Sequence, residues 1–176
     1  MPTEALEDVA PQWYVLYVRS RHEIVADGEL QKKGIKTYLP FVRKLRQWKD
    51  RKKLVDFPLF PGYLFVNISP ASPDYFKVLK TRGAVAFITS ALGHPVPVSS
   101  EEIDSLRLLV ESGEELDVYP NLREGAGVRI VKGFLKGAEG ILEKKEEHCI
   151  FSVNVVIIGQ CISVKVLADD LECTDI

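Results

Sequence analysis

Cysteine, histidine and methionine are scarce: the 176 residues hold three cysteines, three histidines and one methionine. Cys149, Cys161 and Cys173 are spaced twelve apart, which supplies neither an even disulfide framework nor a CxxC metal pair, so they read as reduced thiols. His22, His94 and His148 stand without a Cys or carboxylate at ligand spacing, and no metal or other cofactor is expected. The same scarcity leaves no nucleophilic triad, metal cluster or phosphate loop, which argues against an enzyme. No run approaches the roughly 20 apolar residues of a membrane helix. Residues 1–12 carry Glu4, Glu7 and Asp8 but no basic start and no apolar core, so they do not read as a signal peptide. The expectation is a soluble, cytoplasmic monomer with a flexible stretch over residues 1–12.

What is present is a core-forming chain, 46% apolar, with a sharp division of charge. The net charge of −2 hides 15 Lys/Arg against 6 Asp/Glu over residues 11–83, and 8 against 16 over residues 84–176. The first part should seek polyanions and the second should avoid them.

Trp13 to Val18, rich in aromatic and β-branched residues, reads as a first strand. Ser20-Arg21-His22-Glu23 matches a capping box and Lys32-Lys33-Gly34 a helix end, which predicts a helix over about 21–33. Ile35 to Leu45 reads as extended, interrupted by Pro40, and Phe57 to Ile68 as a second apolar strand around Pro61-Gly62. Between them, Arg43 to Lys53 is a hairpin-like excursion with seven cations and one acid around Trp48. Ser72-Pro73 starts a helix running to Lys80, Val85 to Thr89 is a short strand, and Ser99-Ser100-Glu101-Glu102 is another capping box, leading into Ile103, Leu106, Leu109 and Val110 at helical spacing. This order predicts an α+β domain over residues 13–111, helices packed on a mainly antiparallel sheet. Residues 112–124, acidic and with little apolar periodicity, read as a linker. From Gly125 the texture is β: Val128–Val131, Gly140–Leu142, Ile150–Ile158 and Ile162–Val166 read as the strands of a small closed barrel over residues 125–172.

Gly125 to Leu142 resembles a KOW motif, two strands around a glycine-punctuated turn. Trp13-Tyr14-Val15-Leu16-Tyr17, Tyr38-Leu39-Pro40, Phe60-Pro61-Gly62-Tyr63-Leu64-Phe65-Val66 and Thr81-Arg82-Gly83 resemble the N-terminal (NGN) domain of the bacterial NusG transcription elongation factors, in matching order and spacing. The basic excursion before Tyr63, and Ile158-Gly159-Gln160 where housekeeping members usually have Phe-Gly-Arg, are most similar to the specialised RfaH and UpxY types. A ribosome-associated or other RNA-binding KOW protein would share the motif and the basic part, but it does not account for the Trp13 to Gly83 pattern; a housekeeping NusG remains the nearer alternative.

The resemblance implies an NGN domain followed by an SH3-like KOW barrel, and a factor that binds RNA polymerase and suppresses pausing and termination at selected operons such as polysaccharide clusters. It implies a hydrophobic cavity for the polymerase clamp helices, lined by Tyr63, Phe65, Phe87 and Val96, and a second polymerase contact at Tyr75, Phe76 and Lys77, where the threonine-rich stretch of the RfaH type is missing. Arg19, Arg21, His22, Thr81 and Arg82 match the face that approaches the non-template DNA strand. Among the hairpin cations Arg46, Lys49 and Arg51 are further candidates for DNA contact. The KOW domain would recruit a small-subunit ribosomal protein or the termination factor Rho. Its apolar turn residues Phe134 and Leu135 are the proposed contact, and the run of Val153, Val155, Val156, Ile157 and Ile158 favours a constant β fold.

Overall fold

A computed structural model describes residues 10–120, 125–145, 148–166 and 173–175. Along the chain run β1 (Gln12–Val18), α1 (Glu23–Lys32), β2 (Lys36–Tyr38), β3 (Phe41–Gln47), β4 (Lys52–Pro58), β5 (Tyr63–Ile68), α2 (Asp74–Leu79), β6 (Ala84–Phe87) and β7 (Pro97–Val98). Then follow α3 (Ser100–Glu111), β8 (Leu116–Pro120), β9 (Ala126–Ile130), β10 (Glu139–Lys145), β11 (His148–Val155), β12 (Gln160–Val166) and β13 (Cys173–Asp175). The chain divides into two compact units, one of residues up to Leu39 with Asp56–Val98, the other of Pro40–Val55 with residues from Ser99 onward.

The first unit is an antiparallel sheet ordered β2-β5-β1-β6, with β7 also paired to β1. The aromatic and β-branched β1 takes the centre, and its Tyr14, Val15, Leu16 and Val18 are buried, so both faces are covered. Residues opposite one another in an antiparallel pair share a face. Trp13, Val15 and Tyr17 therefore lie with Asn67, Phe65 and Tyr63, while Tyr14 and Leu16 lie with Val66 and Leu64. Ala26 and Leu30, one helical turn apart, give α1 its buried side.

Helix α1 does not start in the expected capping box. His22 is the N-cap, with no side-chain cap hydrogen bond, and Arg21 is left-handed at φ 64. The reason is a competing donor: Glu23 is buried, and its Oε1 accepts from the Gly62 N–H at 2.9 Å instead of reaching back along its own helix. The box before α3 forms as expected, with Ser99 Oγ accepting from Glu102 N–H at 3.1 Å and the Glu102 carboxylate accepting from Ser99 N–H at 3.2 Å.

In the second unit six antiparallel strands follow the order β13-β9-β10-β11-β12-β8. Pairing between the two ends of that path, which would close a hydrogen-bonded barrel, is not seen among the described residues. Two expectations shift. Leu116–Pro120, inside the stretch read as a linker, is strand β8, with Leu116 opposite Val164 and Val118 opposite Ile162; its acidic neighbours masked a short apolar alternation. Helix α3, expected to close the first domain, is grouped with the C-terminal strands. It packs on β10 and β11, buries Ile103, Leu106 and Leu109, and its Ser105 Oγ accepts from the Glu139 N–H at 2.9 Å. The strand expected to reach Ile158 stops at Val155, where Val156–Ile158 coil into a 3-10 turn ending at Gly159. Residues 1–9 of the expected flexible stretch, 121–124 of the linker, and 146–147 and 167–172 of the last domain lie outside the described residues.

Cys149 and Cys161 are both buried. Among the described residues no group of His, Cys and carboxylates is placed to hold a metal, and no helix is long and apolar enough to cross a membrane.

Candidate functional site

The strand register sorts the expected cavity residues onto opposite faces of the first sheet. Tyr63 and Phe65 lie on the Tyr17 face. The Tyr17 and Tyr63 rings meet at 5.9 Å, Tyr17 44% exposed and Tyr63 half-buried, so the pair forms an aromatic rim at the end of β1 and β5. Gly62, at φ 85, lets the chain turn into β5 directly against this rim; a Cβ there would touch the Tyr17 ring at 3.4 Å. Phe65 is fully buried behind the rim, 6.2 Å from Phe60 and 6.1 Å from Tyr38.

Phe87 does not join them. It stands opposite Leu16, on the other face, with the Tyr75 ring stacked on it at 4.9 Å and Tyr14 edge-on at 6.3 Å. Tyr75 is therefore a packing residue that fastens α2 to the sheet. Its neighbour Phe76 is 63% exposed, and Lys77 is exposed and paired with Asp74 at 2.7 Å. Val96, half-buried beside β7, donates its N–H to the Ile88 carbonyl at 3.2 Å. Tyr17 joins Tyr63 here although it is not among the expected cavity residues; the alternation Trp13, Val15, Tyr17 carries the signal.

A basic cluster gathers at the loop after β1. Arg19 donates its N–H to the Gly83 carbonyl at 2.8 Å, and Gly83 lies so close to His22 that a Cβ would come within 2.7 Å of the imidazole-bearing carbon. These contacts bring exposed Arg19, Arg21 and Arg82 around a half-buried His22. Thr81 departs from its expected role. It is buried, its hydroxyl accepts from Lys33 Nζ at 2.7 Å and donates to the Lys77 carbonyl at 2.8 Å, so it has no surface to offer a nucleic acid. Lys33, expected only to mark the end of the helix, is the cation it holds in place.

The second basic element is the β3–β4 hairpin, where Trp48 donates its N–H to the Arg51 carbonyl at 2.8 Å across a two-residue turn of Lys49 and Asp50. The guanidinium groups of Arg46 and Arg51 lie over the Trp48 ring at 6.0 and 5.9 Å from its centre.

Residues 11–107 match the sequence profile of the family described as transcription termination factor NusG. The chain belongs to the NusG family. It is 23% identical over 175 residues to the transcription termination/antitermination protein NusG of Pseudomonas aeruginosa, covering 93% of this chain and 99% of that protein. With NusG of Chlamydia trachomatis it shares 27% identity over 172 residues, covering 92% and 91%. The structure titled "Domain interaction in Thermotoga maritima NusG" superposes with a TM-score of 0.50 at 22% identity over 92% of this chain and 96% of that one, a likeness of fold.

The NusG match spans the first sheet, both basic elements and most of α3. Beyond it, the turn between β9 and β10 separates the two residues expected to act together: Phe134 is 48% exposed, while Leu135 is fully buried and belongs to the core. Membership places the chain among transcription termination and antitermination factors, which are not a known enzyme family.

Proposed function

We propose that this NusG-family protein binds RNA polymerase at the clamp helices through the Tyr17–Tyr63 rim, which takes the part first given to a wider cavity. The observation that carries the reading is the ring pair at 5.9 Å, exposed Tyr17 against half-buried Tyr63, backed by fully buried Phe65, because a few aromatic anchors on a rigid base concentrate binding energy. Exposed Phe76 and Lys77 on α2 are the proposed second polymerase contact.

Arg19, Arg21, His22 and Arg82 form the proposed face for the non-template DNA strand, with Arg46, Lys49 and Arg51 of the hairpin as a further cationic surface. Holding both polymerase and the displaced strand favours the elongating state over the paused one by binding it more tightly. In this reading the protein is a specialised antiterminator acting at selected operons. Exposed Phe134 on the C-terminal β unit, the proposed KOW module, recruits a ribosomal small-subunit protein or Rho.

The test is binding to core polymerase on an affinity matrix. Wild type should be retained, and Tyr17→Ala plus Tyr63→Ala should abolish retention while the circular dichroism spectrum and melting temperature stay near wild type. Retention of the folded double variant at wild-type level would overturn the reading.

A further inference from the structure

The hairpin carries a side chain that the cationic reading leaves unused. Trp48 sits next to the tip and is 42% exposed, although exposing an indole to water is unfavourable. Every residue from Arg43 to Leu54 is exposed. Side chains alternate along a strand, and the Trp48–Arg51 hydrogen bond fixes these two as opposite partners. Alternation from that pair puts Lys44, Arg46 and Lys53 on the same face as Trp48 and Arg51, and Leu45 and Leu54 on the reverse. The positions of Arg46 and Arg51 over the ring agree with that assignment.

We infer that this face is a clamp for single-stranded nucleic acid, in which an unpaired base stacks on the Trp48 indole while Arg46, Arg51, Lys44 and Lys53 take the flanking phosphates. Indole and guanidinium planes are both stacking surfaces for a base, and a base held inside a duplex does not present its face to them. Both guanidinium groups already lie within cation–π range of the ring in the free protein, so the cations and the stacking surface are gathered in advance. Lys49 and Asp50 at the tip leave the turn itself nearly neutral, so the cations follow the two strands beside the ring. The same chemistry admits RNA or DNA.

This inference deepens the nucleic-acid reading of the hairpin and is independent of the polymerase contact, so it is tested without polymerase. The full-length protein is titrated with fluorescein-labelled 20-nucleotide RNA and DNA single strands and with the matching duplexes, following anisotropy and tryptophan fluorescence. The protein has two tryptophans and Trp13 is only 5% exposed, so quenching reports on Trp48. Single strands should bind more tightly than duplexes and quench the emission. Trp48→Ala should weaken binding about tenfold or more, and Trp48→Phe should keep most of the affinity. Arg46→Ala should flatten the log–log salt dependence by about 0.7. A preference between the RNA and DNA strands names the source of the ligand. Equal affinity of wild type and folded Trp48→Ala, duplex binding as tight as single-strand binding, or no binding to either would overturn the clamp. A retained polymerase interaction in that event leaves the Tyr17–Tyr63 reading standing.

Discussion

The carboxylate of Glu23 accepts the N–H of Gly62 at 2.9 Å in the interior, joining the first turn of α1 to the turn that launches β5. Removing the acceptor strands a buried donor. Glu23→Ala should therefore destabilise the protein by about 1–3 kcal/mol. Glu23→Gln, which keeps an oxygen in place, should lose less. Thermal and urea denaturation of the two variants check the order, and equal stability of Glu23→Ala and wild type would contradict the role.

The two faces of the first sheet predict a separation of effects. Phe87→Ala, beneath Tyr75, should cost about 3–5 kcal/mol of stability. Tyr63→Ala, on the rim, should leave the unfolding midpoint near wild type and reduce polymerase retention. Finding the stability loss at Tyr63 and the binding loss at Phe87 would reverse the assignment.

Thr81 and Arg82 are adjacent and should behave in opposite ways. Thr81→Val removes the hydroxyl that Lys33 and the Lys77 carbonyl share, and should cost about 1 kcal/mol. Its affinity for a non-template strand should hardly change. Arg82→Ala should keep the stability and weaken strand binding, with a shallower salt dependence, as measured on an assembled elongation complex.

Glu102 supplies a pH dependence. Desolvation by burial raises its pKa, an effect opposed by hydrogen bonds from the Ser99 backbone, the Ser99 side chain and the Val156 backbone. A carboxyl raised in the folded state binds its proton more tightly there than in the unfolded chain. Its contribution to stability is therefore fully present below the unfolded value and fades as pH rises through the folded one. Glu102→Gln fits the same capping box and removes the titration. Urea unfolding between pH 4 and 8 should show a smaller loss of stability with rising pH in Glu102→Gln than in wild type. Parallel profiles would exclude the effect.

Much of this was legible in the residues. The Ser99 capping box, the apolar spacing of α3 and the glycine after it have one local solution, and the structure adopts it. Trp13 to Val18 could be read as a strand because its composition suits little else. Ser20 to Glu23 misled because a local pattern met a distant competitor, the Gly62 N–H, that no window of sequence contains. Phe87 misled for a similar reason: which face a strand residue takes depends on register, and its pairing opposite Leu16 is a property of the assembled sheet. Strand β8 was hidden by Glu114, Glu115 and Asp117, whose charges outweighed two alternating apolar residues. The division of labour between Phe134 and Leu135 is likewise an outcome of packing, since nothing in two neighbouring apolar residues says which one turns inward.

The attachment of helix 100–111 to the C-terminal strands bears on how the protein can be taken apart. A fragment cut after residue 111, the natural place to stop by sequence, carries off a helix whose Ser105 was receiving the Glu139 amide and whose apolar stripe was sheltered. Such a piece should be sticky and short of its full cooperativity, and the remaining piece should expose the flank of β10 and β11. Dissection after Val98 keeps the Ser99 cap with the helix it starts and that helix with the strands it covers, while Pro40–Val55 stays with the first fragment.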